Sequence, residues 1–184
     1  MEKVPADTKL ESAKHILSGA ILCFMARRWH NAWFDARISL QVISSYLRHA
    51  GLIPYLDNLE IVRDEFSNLF DNSRKNMNAI KHAEKLEKIN EGVYHADMED
   101  ALFFIHITIL ELMKLGTDLL VEHEIFMGWC RNFRPNGKPF PCPQWAIDCF
   151  TGFEGLSLEE QCRLGLEVFL DKGVPPTPSR KRVK

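Results

Sequence analysis

Residues 101–127 read ALFFIHITILELMKLGTDLLVEHEIFM, the longest apolar block in the chain. Its first ten residues carry no formal charge unless His106 is protonated. A helix that is apolar on nearly every side must be surrounded by other helices. The block therefore predicts a central apolar helix, about 98–127, with the rest of the chain packed around it. It does not predict a membrane span. Glu111, Lys114 and Asp118 interrupt it before it reaches the ~20 apolar residues that a bilayer requires.

Upstream of this block, Asp97 is placed to cap the helix, and Glu99 and Asp100 suit the positive end of its dipole. The segment at about 74–90 is the most polar, with a narrow seam of Met77, Ile80, Ala83, Leu86 and Ile89, and predicts an outer helix. Another helix is expected from Pro54 to about Phe70, striped by Leu56, Leu59, Val62, Phe66 and Leu69. Before it, Trp33 to His49 forms a broad apolar face. Gly51 can take a left-handed conformation that folds Leu52 back on Leu47. The first helix opens at Asp7 or Thr8 and runs to about Arg28, with Leu10, Ala13, Leu17, Ile21 and Phe24 on one side.

Downstream, GWCRNFRPNGKPFPCP (128–143) is rich in proline, and Pro135-Asn136-Gly137 is a turn signal. A connection this long predicts a functional or unstructured loop. A short helix follows Pro143. Ser157 and Glu160 have the spacing of a capping box for a last helix that ends at Gly173. The final VPPTPSRKRVK reads as a disordered basic tail. No strand-like alternation is present. The expectation is an all-α bundle of six or seven helices, with a single helical domain at 1–173 and the tail at 174–184.

The formal net charge is −2. Arg180, Lys181, Arg182 and Lys184 are four of the 23 basic residues, so the remaining 19 face 25 acidic ones. A body of that sign does not attract nucleic acid over its whole surface; contact requires a local patch or the tail. The five cysteines are odd in number and lack a Cys-x-x-Cys pair, and the N-terminus lacks a signal-peptide layout. Reduced thiols in an intracellular protein are expected, cytoplasmic or, in a eukaryotic or viral source, nuclear.

No motif assigns a catalytic residue, a metal or a cofactor. Glu111, Lys114, Asp118 and Glu122 form one stripe, expected to be a solvated edge. His106 falls on the apolar side, as core histidines do. No Glu-x-x-His pair suits a di-iron centre. The spacing of His123, Cys130, Cys142 and Cys149 matches no zinc knuckle.

Two stretches interleave cations with aromatics. Trp129, Arg131, Phe133, Arg134 and Lys138, continued by Phe140 and Trp145, suit base stacking with phosphate contact, or a protein hot spot. The alternative is that the rings anchor the loop in the bundle. Arg27, Arg28, Trp29, His30 and Trp33 form a smaller patch of the same kind. The basic tail resembles a short nuclear-localisation signal and equally suits contact with nucleic acid or an acidic partner. The expected role is a non-enzymatic assembly or adaptor subunit of a larger complex, nucleic-acid-associated or not, that meets a protein partner through the 74–90 helix and the 128–145 loop. Direct RNA or DNA binding through the 128–145 loop and the tail is the alternative, and an enzyme centred on His106 or His123 a third. A homo-oligomer is compatible with each.

Overall fold

The computed structural model of the chain describes residues 8–57, 96–133 and 142–171. The helix expected at about 54–70 beyond residue 57, the one expected at about 74–90, the 134–141 part of the loop with Arg134 and Lys138, and the tail with Arg180, Lys181, Arg182 and Lys184 lie outside them.

The described residues are helical, without strands: α1 (Thr8–Met25), α2 (Trp29–His49), a 3-10 turn (Tyr55–Asp57), α3 (Met98–Leu115), α4 (Val121–Phe133), α5 (Gln144–Asp148) and α6 (Leu158–Asp171). They share one core, centred on Leu17, Ile21, Phe24, Trp33, Phe104, Ile105, Phe126 and Trp129. No helix among them is long and apolar enough to cross a membrane.

α1 and α2 form an antiparallel hairpin, tied at mid-length where Ser39 Oγ donates to the Ala13 carbonyl at 2.6 Å. α3 lies along α2, where Thr108 Oγ1 donates to the Phe104 carbonyl at 2.5 Å and approaches the Ala36 carbonyl at 3.4 Å. The ends of α2 and α3 point the same way, because Glu111 and Lys114 near the end of α3 reach the segment just after α2.

The caps follow local chemistry. Asp97 accepts from the Asp100 amide at 3.0 Å, and the Asp100 carboxylate accepts from the Asp97 amide at 3.2 Å, a reciprocal box. After α2, Gly51 is left-handed and Leu52 N–H reaches the Leu47 carbonyl at 2.8 Å, as the sequence predicts. Ser157 Oγ accepts from the Glu160 amide at 3.3 Å. The second half of that expected box is missing because Glu160 turns its carboxylate to Arg163, at 2.6 and 3.0 Å.

The central helix of about 98–127 is two helices. Gly116 adopts φ 74°, Thr117 N–H returns to the Leu112 carbonyl at 3.4 Å, and the chain restarts at Val121. Only glycine takes this conformation without penalty, and the turn satisfies carbonyls that the helix end would otherwise leave open. α3 keeps the central position: its buried residues include Ala101, Phe104, Ile105, Thr108 and Leu112. The loop expected at 128–143 also starts later, since 128–133 are the last turns of α4.

α1 ends in the same kind of turn with the wrong residue for it. Arg27 has φ 59°, and Arg28 N–H bonds the Cys23 carbonyl at 2.8 Å. A side chain in this region costs roughly 1–2 kcal/mol. The Arg27 guanidinium pairs with Glu159 at 2.6 Å, but both side chains are exposed, and such pairs are worth under about 1 kcal/mol. Arg27→Gly is therefore predicted to raise stability by roughly 0.5 kcal/mol. Thermal melts would check this, and a lower melting temperature would show that the Glu159 pair outweighs the strain.

Candidate functional site

The polar stripe on the central block is a solvated edge only in part: Asp118 is exposed and Lys114 and Glu122 are half-buried, but Glu111 is not solvated. Glu111 is fully buried, and its Oε1 accepts the Tyr55 backbone N–H at 2.6 Å. Lys114 Nζ donates to the Ile53 carbonyl at 2.5 Å and sits 4.4 Å from the centre of the Tyr55 ring. Arg48 closes the other side with two bonds to the Asp57 carboxylate, 2.8 and 2.9 Å. With the Leu52 turn bond, the 52–57 segment is held from α2 and from α3. What it holds outward is apolar: Ile53 is 58% exposed and Tyr55 37%. The sequence signal for this arrangement is a glutamate inside an otherwise apolar block, since a buried carboxylate requires donors from a neighbour.

His123 is fully buried at the start of α4. The Leu120 amide donates to its Nδ1 at 3.4 Å, so that nitrogen carries no proton. Nε2 then bears the hydrogen and donates to the Lys14 carbonyl at 3.1 Å, with Ser18 Oγ 3.3 Å away. His123 is the third residue of α4, and its ring does for the preceding amide what a glutamate does in a capping box. Burial is the largest influence on its pKa and pushes it down to about 4. The Lys14 carbonyl bond opposes this, and the charges of Lys14 and His15 add to the lowering. The folded ring is neutral and both nitrogens are committed, so it is not free to bind metal or relay a proton.

This makes a pH prediction. The folded pKa lies below the ordinary 6.5, so the unfolded state takes up the proton first. The stabilisation is complete above about pH 6.5 and is lost as pH falls from there toward about 4, a total of about 3 kcal/mol. Denaturant titrations of wild type and His123→Gln at pH 7 and 4.5 isolate it. Wild type should lose about 2–3 kcal/mol more than the variant, and equal losses would contradict the assignment.

His106 is half-buried. With Ile109, Leu110, Phe126, Met127 and Cys130 it lines a hollow between α3 and α4 of about 220 Å³, open mouth included. Among the described residues no group of three or more His, Cys, Asp or Glu side chains is placed to hold a metal ion. All five cysteines are free thiols. Cys162 is raised to about 11 by burial, with Arg27 lowering it less.

The loop residues divide. Trp129 is 1% exposed, so it belongs to the core and not to a partner surface. Its ring lies 5.4 Å from Phe24, near perpendicular, and 5.9 Å from Phe126, stacked. Arg131 is exposed on the last turn of α4. It hydrogen-bonds the Cys142 thiol, whose pKa is nevertheless raised by burial, so the thiol stays protonated. Phe133 closes the α4 backbone. In the smaller patch Trp33 is fully buried, Trp29 packs on Phe24 at 5.0 Å, and Arg28 is exposed.

Arg37 on α2 is a different matter. It is 8% exposed, and its guanidinium carbon lies 4.7 Å from the centre of the Phe104 ring. Its Nε is buried without a hydrogen-bond partner, and among the described residues no carboxylate pairs with it. Burial lowers its pKa to about 10, so it remains charged at neutral pH. A desolvated cation–π contact is worth about 2 kcal/mol, whereas burying an unpaired ion costs several kcal/mol. The ring does not offset the burial.

Comparison of the chain with protein-family models, curated proteins and solved structures gives no match in any of the three.

Proposed function

We propose that this chain is a non-enzymatic helical module that docks a protein partner, with Ile53 and Tyr55 at the contact. The observation that carries this is the outward display of Ile53 on a segment fixed by Glu111, Lys114 and the Arg48–Asp57 pair. Single exposed apolar residues are common and need no explanation. A buried carboxylate and two cations spent on holding such residues in place are less common. Rigid display lowers the ordering cost of binding, and a clustered aromatic and aliphatic pair is the usual composition of an interface anchor. Of the two histidines on which an enzyme could be centred, His123 is committed to backbone, which favours the adaptor reading.

Direct nucleic-acid binding loses its first stacking ring, because Trp129 is in the core. The tail residues Arg180, Lys181, Arg182 and Lys184 keep an accessory role in this proposal, as an address or an electrostatic contact.

The test compares complexes recovered by affinity purification with wild type, Ile53→Asp and Leu170→Asp. Leu170, 69% exposed on α6, is the control for any exposed leucine or isoleucine. Ile53→Asp should reduce recovery of a defined complex by about tenfold or more, with an unchanged melting temperature and with Leu170→Asp like wild type. A chain recovered only as a lone monomer, or a complex indifferent to Ile53→Asp, would contradict the proposal.

A further inference from the structure

We infer that Arg37 is the receptor for a small anion, a carboxylate or a phosphate group, that seats against α2 beside Phe104. Three observations lead there. The side chain is more than nine-tenths buried, yet its Nε has no hydrogen-bond partner. Among the described residues no acidic side chain forms an ion pair with it. Its guanidinium carbon lies 4.7 Å from the centre of the Phe104 ring, which attracts the charge but accepts no conventional hydrogen bond.

Buried arginines are ordinarily paired, because guanidinium carries five donors and cannot shed its proton under ordinary conditions. Nε is the buried donor still to be satisfied. A planar fork matches the two oxygens of a carboxylate or of a phosphate. This inference does not depend on the docking of a partner at Ile53 and Tyr55, and either can fail alone.

The probes are inorganic phosphate and acetate, each titrated into the full-length chain at constant ionic strength with chloride as the balancing anion. Melting temperature is followed, together with the Arg37 Nε–H resonance in a nitrogen-15 spectrum. One of the two anions should raise the melting temperature saturably by about 2–4 °C at several times its Kd. It should also shift the Arg37 resonance. Response to phosphate alone identifies a phosphate source, and response to acetate alone a carboxylate source. Arg37→Met should abolish the saturable shift, and Arg37→Lys should weaken it, because an ammonium has no fork. If Arg37→Met does not fold, the wild-type resonance decides. No saturable response to either anion, or an unmoved Arg37 resonance at saturation, would overturn the inference. So would an equal response in a folded Arg37→Met.

Discussion

Trp129→Ala is expected to destabilise the chain by about 4 kcal/mol. The indole is the middle of an aromatic cluster with Phe24 and Phe126, whose own rings meet edge-on at 5.5 Å. Removing it takes away a large transfer term and leaves a cavity that α1, α4 and α6 close only partly. α6 approaches the same ring: a side chain at Gly165 would meet Trp129 Cδ1 at 3.4 Å. Trp129→Phe should lose less than half as much, because a ring remains to stack on Phe126. Equilibrium unfolding in urea measures both. A Trp129→Ala chain of unchanged midpoint would return this residue to the surface, and with it the stacking role that the cation–aromatic pattern suggested.

Gly128→Val is expected to cost about 3 kcal/mol, and Gly128→Ala nearly as much. A Cβ at Gly128 would lie 2.6 Å from the Ala146 carbonyl carbon, closer still to its oxygen, and 3.1 Å from the Ile147 nitrogen. These are backbone atoms of α5, so no side chain can swing away. The normal gain from replacing a helical glycine by alanine, about 1 kcal/mol, is smaller than the cost of pushing α5 off α4. The same urea experiment checks it, and a Gly128→Ala chain at least as stable as wild type would show that α5 moves freely.

Much of the architecture is legible in local sequence because helix ends are local. Gly51 with Leu52, and Asp97 with Asp100, need only residues within a turn of one another. The errors arise where a local signal competes with a longer pattern. Gly116-Thr117-Asp118 carries a stop signal, but the apolar run on both sides reads as one helix. The opposite happens at 128–133, where the prolines further on suggest a loop. Ile125, Phe126, Trp129 and Cys130 recur at three- and four-residue steps, and the helix continues through them. The candidate site was the least legible. Helical phase correctly puts Glu111 and Lys114 on one side of α3, but it does not say that residues 53 and 55, more than fifty positions earlier, cover that side. Nor does any spacing rule reveal that His123 bonds the Lys14 carbonyl, since that contact depends on α1 and α4 lying side by side.

The most direct test of the docking role is site-specific photo-crosslinking in cells. A benzophenone amino acid is placed at Ile53 in one chain and at Glu167, an exposed position on α6, in another. The proposal predicts a discrete adduct of higher mass from position 53 and none from position 167. The absence of an adduct at 53, or the same adducts from both positions, would contradict it.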